Sequence, residues 1–229
     1  MFGILFPRIC PLCKEELCRE DDGLCGSCLE AMPSLPERRC PGCGGPNDGI
    51  LELCPECVAV PGGRPWSLAV SAFPFHGLLR KAVHEFKYRG GRPLAAFFGK
   101  SVHAAWMKQA GTMHVDAVTC VPLHFWRRFL RGYNQSELLG REIARCLGVP
   151  FAELLKRTRN TPPQASLNME GRLANLTGAF KFRRVHGFTG RRVLLVDDVF
   201  TTGTTLTSAA RELLKGGIPD VCVATIARD

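Results

Sequence analysis

The sequence predicts an α/β protein, a mainly parallel sheet flanked by helices, preceded by a small cysteine-rich N-terminal module. Three observations carry this. Residues 193–196 are an uninterrupted apolar run that ends in Asp197 and Asp198 and passes through a Thr/Gly turn into a helical pattern. Segments of strand and helix periodicity alternate from residue 65 onward. Eight of the twelve cysteines lie in four CxxC pairs within the first quarter of the 229 residues.

The pairs are Cys10/Cys13, Cys25/Cys28, Cys40/Cys43 and Cys54/Cys57, separated by 11, 11 and 10 residues. A CxxC makes a tight knuckle presenting two thiolates, and two knuckles complete a tetrahedral Zn(Cys)4 site. The spacing predicts two consecutive ribbons, one on Cys10, Cys13, Cys25 and Cys28, the other on Cys40, Cys43, Cys54 and Cys57, with a crossed pairing as the alternative. A disulfide framework would need an oxidising compartment, and residues 1–6 lack the charged leader of a secretory signal. No apolar stretch reaches transmembrane length, so the expectation is a cytoplasmic protein without membrane insertion. Cys18, Cys120, Cys146 and Cys222 stand alone and read as ordinary residues. Residues 58–65 read as a linker, which divides the chain into a double zinc-ribbon module (1–64) and a larger domain (65–229).

The larger domain opens with an edge strand over residues 68–75, then helices over 77–88 and 93–109. Residues 115–121 form a core strand. Leu138, Leu139, Ile143, Ala144 and Leu147 have helical spacing, with Asn134 and Glu137 placed as a capping box. A strand near residues 151–155, a polar loop, the strand at 193–196, its helix up to Gly216 and Gly217, and a last strand over 221–226 complete the alternation.

The acids follow the apolar run at the carboxyl end of its strand, where ligands of parallel sheets bind. Thr201, Thr202, Gly203, Thr204 and Thr205 then open a helix, whose first amides and dipole make an anion site, with Gly203 allowing close approach of a phosphate. Asp197 and Asp198 can accept hydrogen bonds from vicinal ribose hydroxyls, and a magnesium ion can bridge such hydroxyls and a pyrophosphate. A Walker B reading fails for want of a P-loop, because Gly99-Lys100-Ser101 has Leu94 at the first glycine position and sits in a helical pattern. A receiver domain would need a phosphoacceptor Asp on a later strand, and only 31 residues follow Asp198.

Two further segments are site candidates. The loop after residue 121, with Leu123, His124, Arg127, Arg128 and Arg131, places three arginines before a helix N-terminus, a clamp suited to a leaving pyrophosphate. Residues 156–172 are long, polar and broken by Pro162 and Pro163, the pattern of a lid, from which Lys156, Arg157, Gln164 and Arg172 could reach inward.

The formal charge of +9 is unevenly spread. Residues 1–64 hold six Lys/Arg against ten Asp/Glu, so the cysteine module is acidic and a poor nucleic-acid surface by itself. The rest holds 24 against 11, more cations than a phosphate and a pyrophosphate require, leaving a surplus for a nucleic-acid backbone.

The Asp197-Asp198-Val-Phe-Thr-Thr-Gly run resembles the PRPP-binding signature of type I phosphoribosyltransferases. That resemblance implies their fold, acids holding the ribose hydroxyls, and a Thr/Gly loop holding the 5'-phosphate of phosphoribosyl pyrophosphate (PRPP). With the CxxC array, Phe86-Lys87-Tyr88, Arg131-Gly-Tyr-Asn-Gln135 and Gln164, Leu167, Arg172, Asn175 and Gly178-Ala-Phe180, the whole chain is similar to the competence protein F (ComF, ComFC-like) family. This implies two structural zinc ions, magnesium with PRPP, and phosphoribosyl transfer linked to natural competence, single-stranded DNA and a helicase partner. The alternatives are a non-enzymatic DNA-handling scaffold on the same fold and a nucleobase-salvage enzyme unrelated to competence. The acceptor would meet a hood near residues 68–92, with Phe73, Phe75 and Tyr88 as stacking candidates.

Overall fold

The computed structural model describes residues 9–17, 23–88, 92–123, 132–158 and 178–229. Cys18, His124, Arg127, Arg128, Arg131, Gln164 and Arg172 lie outside them. In chain order the elements are α1 (Gly26–Glu30), α2 (Pro55–Val58), β1 (Leu68–Pro74), α3 (Gly77–Tyr88), α4 (Arg92–Ala110), β2 (Ala117–Cys120), α5 (Gln135–Leu147), β3 (Leu155–Arg157), β4 (Phe180–Phe182), β5 (Arg192–Phe200), α6 (Thr204–Lys215) and β6 (Asp220–Arg228).

Four strands form one all-parallel sheet in the order β1-β6-β5-β2. Its central strands are apolar at consecutive positions because both faces are covered. Leu194, Val196, Cys222, Ala224 and Ile226 pack under α3, α4 and α5 with Phe86, Phe98 and Ile143. Val193, Leu195, Val221 and Val223 face the other way, onto Leu206, Ala209, Ala210 and Leu213 of α6. Gly99 lies in α4, where an added Cβ would come 2.5 Å from Glu142 Cβ; the residue serves close packing of α4 on α5.

Three expectations about strands need correction. The acids do not end their strand: β5 continues through Val199 and Phe200, paired with Ala227 and Arg228 of an equally lengthened β6. A β-branched and an aromatic residue carry the pairing beyond the apolar run. The strand expected at 151–155 is a single bridge between Phe151 and Val118. The regular strand starts at Leu155 and pairs antiparallel with β4 as a separate two-stranded sheet, so Lys156 and Arg157 belong to a strand.

The cysteine module grips the domain. Cys10, Leu12, Leu24 and Cys28 enter the core beneath α3 and α4, whereas Cys40, Cys43, Cys54 and Cys57 join the core on the α6 side. The outer edge of β1 is covered as well: Ala69 N–H donates to Pro41 O (2.7 Å) and Arg39 Nη1 to Ser71 O (2.9 Å). Part of the row of backbone groups that an edge strand normally presents is thereby satisfied within the chain.

Candidate active site and metal centres

Each cysteine quartet brings four Sγ atoms within 4.8 Å of one another, in sequential pairing. Cys13 and Cys25 sulfurs are 3.4 Å apart and those of Cys43 and Cys54 3.7 Å, near the edge of about 3.8 Å that a zinc tetrahedron with bonds of about 2.3 Å requires. Cys54 N–H donates to Cys40 Sγ at 3.2 Å. The donor sets therefore fit structural zinc. In the second quartet the Cys43 thiol is lowered to about 4, first by a hydrogen bond from Cys57 and, against burial, further by one from Arg228. Cys120 and Cys222, outside the quartets, are buried and their thiols are pushed up by that burial.

Asp197 and Asp198 lie late in β5, where α3 and α5 converge on it. Asn134 caps α5, accepting from Ser136 N–H at 3.2 Å, and Glu137 pairs with Arg141. The N-terminus of α5 is tied to the end of α3: Gln135 Nε2 donates to Lys87 O (2.9 Å) and the Tyr133 hydroxyl to Phe86 O. This lock delivers two side chains to the acids. The Ser136 hydroxyl donates to Asp197 Oδ1 at 2.9 Å, and Lys87 Nζ stands 2.9 Å from Asp198 Oδ2. Asp198 N–H also donates to Asp197 Oδ1, at 2.9 Å.

Burial, and then the neighbouring Asp198 charge, push the Asp197 carboxyl up to about 7, opposed by the Asp198 N–H, Ser136 and Lys87. A carboxyl poised near neutrality can hold or release a proton at working pH. Two adjacent carboxylates also suit a hard divalent cation bridged through sugar hydroxyls.

The Thr/Gly loop is short, because β5 runs to Phe200 and α6 starts at Thr204. Gly203 is the N-cap residue, with φ 75° and no side-chain cap. Thr202 and Thr204 hydroxyls are 2.7 Å apart, and Arg64 Nη1 donates to Thr202 O at 2.9 Å. The bend is held from behind while the helix start faces the loop.

Of the pyrophosphate-loop candidates only Leu123 is described, in the segment that follows β2. Lys156 is exposed on the β3–β4 hairpin, and the Arg157 guanidinium lies over the Phe180 ring (5.4 Å). Of the stacking candidates, Phe73 stacks on Phe97, Phe75 receives Arg80, and Tyr88 is exposed beside His84. Sequence reasoning missed Lys87, Ser136 and Arg64 as site residues. Phe86-Lys87-Tyr88 carries no role by sequence alone, because no local pattern marks a contact made across the fold.

Residues 134–229 match the phosphoribosyl transferase domain family and residues 1–58 the double zinc ribbon domain family. Over 226 residues the chain is 31% identical to competence protein F of Haemophilus influenzae, covering 96% of each chain. It is 31% identical to the DNA utilization protein YhgH of Escherichia coli K12, covering 97% of each, and 27% to competence protein ComFC of Bacillus subtilis, covering 94% of this chain and 92% of that one. Among solved structures, glutamine PRPP amidotransferase of B. subtilis aligns with 62% of this chain and 30% of its own (TM-score 0.41, 20% identity). An adenine phosphoribosyltransferase aligns with 61% and 75% (TM-score 0.39, 14% identity).

Proposed function

Because the chain belongs to the competence protein F family, with a double zinc ribbon joined to a phosphoribosyltransferase fold, we propose that it binds PRPP and transfers its phosphoribosyl group to a nitrogen nucleophile. The observation that carries this reading is an intact Asp197/Asp198 pair late in β5, followed after a short turn by the Gly203-capped start of α6. Residues 65–229 form the catalytic unit and residues 1–64 the zinc module that covers its edge.

In this reading Thr201, Thr202, Gly203, Thr204 and Thr205 bind the 5'-phosphate through the loop and the start of α6. Asp198 and Asp197 accept hydrogen bonds from the ribose hydroxyls, with Ser136 orienting Asp197 and Lys87 balancing Asp198. Asp197 and Asp198 would hold magnesium together with PRPP, and the ion would supply charge neutralisation to the pyrophosphate. Arg127, Arg128 and Arg131 are the cations assigned to the leaving group. As the C1–oxygen bond to pyrophosphate breaks and the C1–nitrogen bond forms, the nucleophile's proton passes to a base, a role the Asp197 carboxyl suits. Gln164 and Arg172 are assigned to the segment that shields the reacting carbon from water, with Lys156 and Arg157 on the strand β3 that precedes it.

A second reading has its own support. The basic excess of residues 65–229 and the relatives' names, competence protein F and DNA utilization protein, favour a role in handling DNA, in which single-stranded DNA and a helicase are the partners we assign. That surface and the PRPP site can coexist. The deciding experiment is calorimetric titration of PRPP with magnesium into wild type and an Asp197→Asn/Asp198→Asn variant, followed by pyrophosphate release with a panel of bases and amines. Binding lost in the variant supports a working phosphoribosyl site; no binding to wild type leaves a DNA-handling scaffold as the better account.

A further inference from the structure

Arg64 stands in what the sequence marks as a linker, yet it is tied at both ends. Its Nη1 donates to the carbonyl of Thr202 at 2.9 Å, at the centre of the Thr/Gly loop. On its other side the guanidinium packs on Trp66, whose indole is bonded into the Cys40–Cys43 knuckle of the second quartet. The guanidinium carbon lies 5.6 Å from the Trp66 ring and 5.3 Å from the Phe200 ring. The two rings meet edge to face at 6.0 Å, and Trp66 Nε1 donates to Gly42 O inside the Cys40–Cys43 knuckle (3.0 Å). Gly203 makes room for this arrangement, since a Cβ there would come 2.7 Å from Arg64 Nη1.

A second arginine repeats the pattern. Arg228, at the end of β6, also lies over Phe200 (5.3 Å) and pairs with Glu56 of the same module. Arg64 Nε and Arg228 Nε are the buried side-chain nitrogens or oxygens that lack a hydrogen-bond partner among the described residues. Orphaned buried donors are costly unless local charge compensates them. Four thiolates around one divalent zinc carry a net charge of about −2, and two guanidinium groups match it. The first quartet is set under α3 and α4, away from this loop.

We infer that Arg64 is a positioning residue through which the second zinc site, and not the first, holds the Thr/Gly loop in its phosphate-binding shape. The inference rests on the reading of that loop as the 5'-phosphate site. The tetrathiolate charge anchors the guanidinium, the Trp66 and Phe200 rings restrict its swing, and the remaining fork fixes the Thr202 carbonyl so that the loop amides face outward.

The test has a ligand-dependent arm and a ligand-free arm, both on the full chain. Affinity for PRPP and for ribose 5-phosphate is measured in wild type, Arg64→Gln, Arg64→Lys, Cys54→Ser (second site), Cys13→Ser (first site) and the Arg64→Gln/Cys54→Ser double variant. Zinc content and circular dichroism are read on each. Arg64→Gln should keep two zinc ions per chain and lose about tenfold or more in affinity for both ligands, as expected for a lost charge-assisted hydrogen bond. Arg64→Lys should recover part of the loss. Cys54→Ser should lose one zinc and a similar factor in affinity, the double variant should be no worse than Cys54→Ser, and Cys13→Ser should stay within about twofold of wild type. Additive losses in the double variant, or wild-type affinity in Arg64→Gln, overturn the inference. Hydrogen exchange across residues 200–206 supplies the second arm: faster exchange is expected in Arg64→Gln and Cys54→Ser but not in Cys13→Ser, and unchanged exchange overturns the coupling. If wild type binds neither ligand, the phosphate-site reading fails, whereas the exchange result still decides whether zinc and loop are coupled.

Discussion

Lys87 Nζ lies 2.9 Å from Asp198 Oδ2, joining the last turn of α3 to the acid pair of β5 in a setting where both side chains are mostly buried. The pair offsets one of two adjacent carboxylates, and Lys87 is among the groups that hold Asp197 down. Lys87→Met should therefore raise the Asp197 pKa above its present value of about 7. The pH midpoint of PRPP binding should rise with it, and stability near pH 8 should fall by about 2 kcal/mol. Titration calorimetry at several pH values and urea denaturation read both effects; an unmoved midpoint would reject the electrostatic role.

Asp197 itself gives stability a definite pH dependence. Its folded pKa of about 7 lies above the ordinary 3.8, so the folded chain holds a proton that the unfolded chain releases between those values. Stability contributed by the protonated carboxyl is complete below about pH 4 and is lost as pH rises to about 7, a span of about 2–4 kcal/mol. Ligand binding runs the other way, because sugar hydroxyls and magnesium favour the carboxylate, so PRPP affinity should strengthen from pH 6 to 8. Asp197→Asn should flatten the stability profile. Denaturation of both proteins at pH 5 and pH 8 provides the check, and parallel profiles would count against the assignment.

The order of strands and helices was legible in the sequence because parallel strands buried on both faces are apolar at consecutive positions, as at residues 193–196, and because the surrounding helices keep a clear periodicity. The quartets were legible because knuckle spacing is local. Strand ends were not: Val199 and Phe200 extend β5 only because Ala227 and Arg228 lie opposite. Nor was the immediate surrounding of the acids. Lys87 and Ser136 reach them because Gln135 and Tyr133 lock α5 to α3, and Arg64 reads as linker until the fold places Thr202 beside it. Contacts of this kind follow from tertiary packing and leave no spacing to detect.

The two zinc sites should differ in lability. All four cysteines of the second quartet are buried, whereas Cys13 of the first is exposed and Cys25 is half-buried. Metal release requires a competing ligand to reach a sulfur, so a chromogenic chelator should extract zinc in two steps, the first leaving the Cys40, Cys43, Cys54 and Cys57 site loaded. In Cys13→Ser only the slow step should remain. Since structural zinc contributes on the order of 10 kcal/mol to folding of such modules, the slow step should coincide with loss of the near-ultraviolet signal of Trp66. A single rapid step for both ions would contradict the difference in burial.

Gly203 and Gly148 allow the loop contact to be separated from backbone strain. Both have positive φ, 75° and 69°, a region that costs an L-residue about 1 kcal/mol. Gly148 closes α5 with open space around it, so Gly148→Ala should lose about that amount and leave PRPP binding alone. At Gly203 a Cβ would come 2.7 Å from both the Phe200 ring and Arg64 Nη1, so alanine must displace either the end of β5 or the arginine that holds Thr202. Gly203→Ala should therefore cost more, about 2–3 kcal/mol, and weaken phosphate binding as Arg64→Gln does. Urea denaturation and PRPP calorimetry on the two variants give the difference directly. Equal stability losses and equal affinities would mean that Gly203 is present for its dihedral alone and that Arg64 can move aside without consequence for the loop.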